Sequence, residues 1–267
     1  MARLRTQSVT LQYDKRTVSK DLSVSIPDGG FTVIVGANAC GKSTLLRGLS
    51  RLLRPASGEI ILDGKTIETF TSRELARQLG LLPQSATAPV GITVAELVGR
   101  GRFPHQSFLR QWSTADQLAV ENAMQATGVS QLANVLLEEL SGGQRQRVWI
   151  AMVLAQDTSI LLLDEPTTFL DIAFQIEVLD LLAELNIKGR TIVAVLHDLN
   201  HACRYATHLI AMRDGRIVAE GRPADIVSAD LVEDVYGLSS MIITDPYSNT
   251  PMIVPKGRLQ MLRNDVP

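Results

Sequence analysis

The chain contains few cysteines and no long apolar run. Cys40 and Cys203 are the only cysteines among its 267 residues. Two scattered cysteines do not make a disulfide framework, so we expect a reducing compartment. The longest apolar run, Val148 to Ala155, is far shorter than the ~18 residues that a membrane-spanning helix needs. The first residues also lack the apolar stretch of a signal peptide. Any role at a membrane is therefore expected to come through a partner chain.

The chain also has no marked excess of charge. Its formal net charge is -2, with 20% charged and 45% hydrophobic residues, which is typical of a globular protein. This balance predicts no non-specific affinity for nucleic acid or anionic lipid. The length suits one large domain, or one domain with a lobe inserted in it.

Short apolar segments separated by turns predict an α/β fold in the first third of the chain. We expect strands near residues 9–13, 22–26, 31–35 and 81–82, and a hairpin over 60–65 with an Asp-Gly turn. Helices are expected over 45–53 and, from a capping box at Thr71, as far as Gly80.

The remaining two thirds divide into a helical part and a second α/β part. From 86 to 156 the pattern is helical, with helix starts at Thr93 and Ser113, so we expect an inserted helical lobe there. Strands are then expected at 160–164, 191–196, 208–212 and 216–219, and helices at 172–187 and 198–205. In the C-terminal tail, 238–267, residues 241–243 and 252–254 are expected to pair as strands.

The segment from Gly36 to Ser43 matches the phosphate-binding pattern G-x-x-x-x-G-K-[ST]. It lies directly between an apolar strand and a helix, which is the context that the motif requires. Backbone N–H groups of such a loop surround phosphate oxygens at a helix N-terminus. We expect Lys42 to bridge the β- and γ-phosphates and the Ser43 hydroxyl to ligate Mg²⁺. A glycine-rich turn that binds nothing is the alternative.

Two acids follow the strand at 160–164. Asp164 is expected at the carboxyl edge of the sheet, where it would hold Mg²⁺ directly or through water. Glu165 is suited to orient and deprotonate an attacking water, although two acids can also simply end a strand. Gln84 ends another strand and could touch Mg²⁺ or the water, although a lone Gln is normally polar surface.

His197 ends the strand at 191–196 and is expected beside Asp164, where it would hydrogen-bond a γ-phosphate. A zinc pair of His197 and His201 is the rival interpretation. It lacks the glutamate of H-E-x-x-H, and His197 falls at a strand end rather than within a helix. The phosphate role is therefore favoured.

The segment Ser141-Gly142-Gly143-Gln144 has the form of a capping box before an apolar helix. Its free N–H groups, hydroxyl and positive helix end make a second phosphate-binding surface. A second such surface is redundant within one site. We therefore expect it to complete the site of another copy, in a head-to-tail dimer with two nucleotides between the chains.

These motifs, together with Leu163 to Pro166 and in this order, resemble those of the ATP-binding subunits of ABC transporters, and the match covers about residues 4–258. The resemblance implies a P-loop NTPase with a RecA-like core, a small antiparallel β lobe and an inserted helical lobe. It also implies ATP and Mg²⁺ as cofactors, adenine stacking by Tyr13, Gln84 as the Q-loop residue, His197 as the switch histidine and Asp171 as the D-loop acid. The residues expected to contact ATP from the phosphate loop are Gly36, Ala37, Asn38, Ala39, Cys40, Gly41, Lys42, Ser43 and Thr44.

Four stretches look like the ATPases of bacterial iron-siderophore importers, most of all those serving ferric enterobactin and related catecholates. They are residues 93–98, 101–105, 151–156 and 197–205. This likeness implies a peripheral subunit on the cytoplasmic face of the inner membrane. Its partners would be integral permease subunits, whose coupling helix meets the helical lobe and the surroundings of Gln84. A periplasmic or lipoprotein substrate-binding protein would act indirectly, and no nucleic acid is expected.

Several alternatives stay open at this point. The cargo could be another metal chelate, such as haem or cobalamin. A soluble ABC ATPase usually carries tandem nucleotide modules, coiled coils or zinc insertions, and a P-loop kinase or GTPase would leave residues 141–144 unexplained. The chain also departs from most relatives at Ala37, Ala39 and Phe169. Alanine would be strained by ~1–2 kcal/mol if the loop needs a positive φ there.

Overall fold

A mainly parallel sheet forms the centre of the computed structural model, which describes residues 2–106 and 112–257. The strand order is β11-β10-β4-β9-β8-β7, with β10 and β11 antiparallel and the other neighbours parallel. Every residue of β4, β8 and β9 is buried, as expected for strands covered on both faces. The strands are β4 (Phe31–Gly36), β7 (Leu79–Leu82), β8 (Ile160–Asp164), β9 (Thr191–Val195), β10 (His208–Arg213) and β11 (Arg216–Gly221).

A smaller antiparallel sheet lies at the N-terminal end of the chain. Its order is β2-β1-β5-β6, and β3 also pairs with β1. The predicted Asp-Gly hairpin is confirmed, because Asp63 and Gly64 have positive φ angles of 48° and 78° between two paired strands. The strands are β1 (Ala2–Tyr13), β2 (Arg16–Leu22), β3 (Ser25–Pro27), β5 (Ser57–Leu62) and β6 (Lys65–Thr66).

The prediction of one strand over 22–26 is wrong, because β2 ends at Leu22 and β3 begins at Ser25. The two strands pair with opposite halves of β1, so the chain must shift between them. The buried Thr6 hydroxyl satisfies the backbone at this shift. It donates to the Leu22 carbonyl at 3.0 Å and accepts from the Val24 N–H at 2.9 Å.

Helices cover both faces of the main sheet, and two predicted helix ends need correction. The helix expected over 45–53 ends at Leu49, because Arg51 is left-handed and the Leu52 side chain is 62% exposed. The helix expected to reach Gly80 ends at Ala76, since Gly80 belongs to β7 and pairs with β8. The helices are α1 (Lys42–Leu49), α2 (Ser72–Ala76), α3 (Val94–Arg100), α4 (Thr114–Ala126), α5 (Gly142–Ala155), α6 (Ile172–Ile187), α7 (Leu199–Tyr205), α8 (Pro223–Ile226) and α9 (Ala229–Tyr236).

The middle of the chain is helical, with α3 and α4 packed on α5. Short 3₁₀ turns lie at Phe103–His105, Ser130–Leu132 and Leu137–Glu139. The predicted helix starts at Thr93 and Ser113 are confirmed, and each residue forms a capping box. A buried ion pair between Arg102 and Asp116, 2.9 Å apart, ties the end of α3 to α4. The division into a body, a helical lobe over 86–156 and a tail stays a prediction.

The C-terminal part of the described chain is a two-stranded hairpin, β12 (Ser240–Thr244) and β13 (Pro251–Pro255). The predicted pairing is confirmed, with Met241 opposite Val254 and Ile243 opposite Met252. Residues 258–267 of the predicted tail lie outside the described residues. In the part of the chain that the structure describes, no helix has the length and apolarity to cross a membrane.

Candidate nucleotide site

The phosphate loop connects β4 to α1 at the carboxyl edge of the main sheet. Lys42 is buried, and its Nζ donates to the carbonyl oxygens of Gly36 at 2.8 Å and Ala37 at 2.9 Å. The backbone of the phosphate loop therefore fixes the Lys42 ammonium group. Gly41 is the N-cap of α1, and no side chain caps its first N–H groups. These donors remain available to an anion.

Ala39 has a φ of 60°, so the strain foreseen for an alanine in this loop is present at this position. A non-glycine residue in the left-handed region costs roughly 1–2 kcal/mol. Ala37 is outside the left-handed region and carries no such cost. Gly36, in contrast, cannot be replaced by alanine without a shift of the backbone, because a Cβ there would lie 2.2 Å from the Met212 carbonyl oxygen.

Ser43 and Asp164 meet across the carboxyl ends of β4 and β8. The Ser43 hydroxyl donates to Asp164 Oδ1 at 2.9 Å, and Asp164 is only 5% exposed. Burial raises the pKa of Asp164, the charge of Glu165 raises it further, and the Ser43 hydrogen bond opposes both. Gln84 lines the same small cavity of about 140 Å³. Hydroxyl, carboxylate and amide oxygens thus converge here, which is the ligand set that Mg²⁺ prefers.

Glu165 and His197 form a short contact at the ends of β8 and β9. His197 Nε2 lies 2.6 Å from Glu165 Oε1, and the Thr168 hydroxyl donates to Glu165 Oε2 at 3.3 Å. The Glu165 side chain is 9% exposed, whereas that of His197 is 46% exposed. Glu165 also has a φ of 54°, a backbone strain of the kind that collects at functional sites.

An open cleft of about 820 Å³ brings most of the predicted residues together. Its wall is shared by the phosphate loop, Gln84, Glu165, His197 and Tyr13. The Tyr13 ring is 39% exposed, and its hydroxyl accepts a hydrogen bond from Arg47 at 3.1 Å. Other lining residues could not be predicted, because a strand and a hairpin turn carry no sequence signal of the cavity that they border. These are Arg16, Thr17, Val18, Asp214 and Gly215.

The segment 141–144 and Asp171 do not line this cleft. Ser141 and Gln144 form the predicted capping box at the exposed start of α5, bonding each other's backbone N–H at 3.3 Å and 3.0 Å. Asp171 instead caps α6, accepting a hydrogen bond from the Phe174 N–H at 3.0 Å. A Cβ on Gly143 would lie 3.4 Å from Leu170. The predicted residues therefore form two separate groups within one chain.

Comparison with known proteins identifies the fold and the activity. The family described as ABC transporter matches residues 19–168. The ferric enterobactin transport ATP-binding protein FepC of Escherichia coli (strain K12) is 60% identical over 259 residues, covering 97% of this chain and 96% of that protein. The chain belongs to the ABC transporter family. It is an ABC-type ATPase that hydrolyses ATP, as its sequence predicts.

Two further proteins resemble this ABC ATPase over much of their length. The petrobactin import ATP-binding protein FpuD of Bacillus anthracis is 50% identical, covering 98% of this chain and 97% of that protein. The dimeric structure of the bacterial ABC transporter cassette MJ0796 has a TM-score of 0.74 and 28% identity, covering 82% of this chain and 98% of that one. The predicted P-loop ATPase cassette fold is thereby confirmed.

Proposed function

We propose that this ABC ATPase, as a head-to-tail dimer, drives import of a ferric siderophore of the catecholate type through a separate membrane permease. The observation that carries the proposal is the 60% identity with a ferric enterobactin transport protein across nearly the whole of both chains. Haem or cobalamin as cargo, and a soluble ABC ATPase, are the rival functions.

The cleft is proposed to bind ATP through residues 36–44 and Tyr13. The uncapped N–H groups at the start of α1 favour phosphate oxygens. Lys42, held by two carbonyls of its own loop, adds one buried positive charge at that point. The exposed Tyr13 ring, fixed at its hydroxyl by Arg47, offers a flat surface for adenine.

Ser43, Asp164 and Gln84 are proposed to hold Mg²⁺. The residues fit this ion, because they supply oxygen ligands around one cavity and include the buried Asp164 carboxylate, which accepts a hydrogen bond from the Ser43 hydroxyl. When bound with ATP, Mg²⁺ neutralises charge on the β- and γ-phosphate oxygens. A bound cation would also favour the ionised form of Asp164, and so would oppose the burial that raises its pKa.

Glu165 is proposed as the general base and His197 as the residue that bonds the γ-phosphate. Both carboxylate oxygens of Glu165 are fixed by His197 and Thr168, so its orientation is set before substrate binds. The half-exposed His197 faces the cleft and reaches across from the neighbouring strand. A general base placed in this way contributes roughly 10²–10⁴ to the rate.

The start of α5 is proposed to complete the site of a second copy. Ser141, Gly142 and Gly143 present a capped helix end to solvent, away from the cleft of their own chain. The exposed Phe169 lies beside this helix end, and Asp171 follows it in the same loop as the cap of α6. A two-fold dimer would bring each such surface onto the partner's nucleotide, and the cassette MJ0796 has been solved as a dimer.

The proposed dimer works on the cytoplasmic face of the inner membrane with integral permease subunits. A periplasmic or lipoprotein substrate-binding protein acts indirectly, and nucleic acid has no part. Membrane recovery of the chain on co-expression with its neighbouring permease genes tests this arrangement. Equal recovery in the soluble fraction with and without those genes would favour a soluble ABC ATPase.

Uptake of labelled chelates by cells lacking this chain tests the cargo. Uptake of a ferric catecholate should be lost and should return with the wild-type chain but not with Glu165→Gln. Ferric hydroxamate, haem and cobalamin serve as comparison ligands. Loss of haem or cobalamin uptake with intact catecholate uptake would contradict the proposed cargo while leaving the ATPase assignment in place.

A further inference from the structure

The C-terminal hairpin, residues 240–255, packs directly on α7. Ile253 of β13 forms a buried cluster with Cys203 of α7 and Val232 of α9. An isolated two-stranded hairpin is marginally stable in water, and so is a helix as short as α7. Each therefore helps to position the other, although α7 also packs on the main core through Ala202. The helix α7 is the one that follows His197.

Asn200 joins the two elements with a pair of hydrogen bonds. Its Oδ1 accepts from the Ile253 N–H at 2.7 Å, and its Nδ2 donates to the Ile253 carbonyl at 3.3 Å. The side chain thus occupies the place that a neighbouring strand would take beside β13. A second connection lies one turn further along α7, where Arg204 pairs with Asp245 at 2.6 Å.

His197 lies between two anchored points of the backbone. On one side, the buried Leu196 donates its N–H to the Ile34 carbonyl of β4 at 3.3 Å. On the other side, Asp198 caps α7 by accepting from the His201 N–H at 2.8 Å. The first point is fixed by the main sheet. The second moves with α7 and hence with whatever holds α7.

We propose that Asn200 is a positioning residue, through which the C-terminal hairpin fixes α7 and keeps His197 in contact with Glu165. The inference rests on the proposed role of His197 in hydrolysis. It gives the tail a function in the ATPase reaction itself, in a region that lies well outside the nucleotide cleft.

Two variants separate positioning from simple stability. Asn200→Ala removes both bonds to Ile253. Asn186→Ala is the matched control, because the half-buried Asn186 side chain also makes two hydrogen bonds to the backbone. Its Nδ2 donates to the carbonyl oxygens of Gly29 at 2.9 Å and Arg190 at 2.8 Å. Asn200→Ala should lower kcat roughly three- to tenfold, within the ~100-fold that a 1 Å displacement can cost, and change the KM for ATP less than about twofold. Asn186→Ala should lower the melting temperature but leave kcat unchanged.

Cys203 reports whether the hairpin has loosened. Its thiol is fully buried, and burial raises its pKa to about 12, so it should react slowly with an alkylating reagent in the wild type. Mass spectrometry of the Cys203 peptide should show faster labelling in Asn200→Ala than in Asn186→Ala. If Asn200→Ala alone leaves the labelling rate of Cys203 unchanged, the double variant Asn200→Ala/Arg204→Met is used, because it removes both connections between the hairpin and α7. Faster labelling in that double variant together with a wild-type kcat would overturn the proposal.

The histidine signals complete the test, since the chain has only four histidines. In the imidazole NMR spectrum, Asn200→Ala should shift the His197 signal and leave that of His105, whose Nε2 bonds the Gln156 carbonyl at 2.8 Å, unchanged. Asn200→Ala should have no further effect on kcat in a His197→Ala background, and an equal loss there would overturn the inference. A wild-type kcat in His197→Ala itself would instead contradict the proposed role of His197.

Discussion

The starts of α1 and α5 are both helix N-termini that could bind an anion. The helix α1 follows Gly41, α5 begins with Gly142 and Gly143, and both helix starts offer N–H groups to an anion. The start of α1 carries the buried Lys42, and its Ser43 bonds the buried Asp164 of the same chain. The start of α5 is exposed, and a capping box already satisfies Ser141 and Gln144.

The difference between the two helix starts accounts for the different roles proposed for them. The sheet places catalytic groups around α1, because the carboxyl ends of β4, β8 and β9 meet there. In the part of the chain that the structure describes, a 3₁₀ turn rather than a strand of this sheet precedes α5. A phosphate bound at α5 would therefore need further groups from a second copy, as in the proposed dimer.

Removing the proposed base should have the largest effect on the completed site. Glu165→Gln keeps the shape of the side chain but loses the carboxylate, so kcat should fall by roughly 10²–10⁴. ATP binding should survive, and size-exclusion chromatography with saturating ATP should show a dimer. A monomer that hydrolyses ATP at the normal rate would contradict the role of Glu165.

Mixing variants of the two helix starts tests whether they belong to different chains. Lys42→Ala and Ser141→Arg should each be nearly inactive alone. An equal mixture should recover roughly a quarter of wild-type hydrolysis, because half of the dimers carry one intact site of two. Ser141→Arg mixed with Lys42→Ala/Ser141→Arg is the control and should stay inactive. No recovery at any mixing ratio would count against the head-to-tail dimer.

Asp164→Asn should stabilise the nucleotide-free protein while removing the proposed Mg²⁺ ligand. Since burial raises the pKa of Asp164, the folded state holds this proton more tightly than the unfolded state. Its contribution to stability is present at low pH and is lost as the pH rises through the folded-state pKa. The melting temperature of the variant should therefore exceed that of the wild type by a few degrees at pH 7.

The same comparison at low pH provides the control for Asp164→Asn. Below about pH 4 the carboxyl is protonated in both states, and the difference in melting temperature should disappear. A difference that is constant with pH would mean that packing, rather than ionisation, separates the two proteins.

The smallest effect is expected from relieving the strained alanine of the phosphate loop. Ala39→Gly removes a left-handed cost of roughly 1–2 kcal/mol but adds about 0.4–1 kcal/mol of unfolded-chain entropy. The free energy of unfolding should rise by up to about 1.6 kcal/mol in a denaturant titration. Ala37→Gly is the matched control and should lower it, because Ala37 has an ordinary φ. Equal changes in both variants would show that the φ of Ala39 is not the cause.

Local patterns predicted those parts of the fold in which the chain decides its own conformation. The capping boxes at Thr71, Thr93, Ser113 and Ser141 are all present, because each depends on residues three positions apart. Element ends that depend on distant pairing were missed. Gly80 looks like a helix stop, but β8 draws it into a strand. Ile172 fits an apolar helix face yet is 77% exposed.

The sequence by itself determined the chemistry, because residues 36–44, Asp164, Glu165 and 141–144 occur in fixed patterns next to strands and helices. Only the tertiary structure decided which of them meet. It brought His197 within 2.6 Å of Glu165, although β9 begins 31 residues after the start of β8. It also placed Ser141 away from the cleft of its own chain and packed the C-terminal hairpin on α7. The reason is that spacing along the chain fixes local hydrogen bonds, whereas contacts between distant segments depend on the strand order of the sheet.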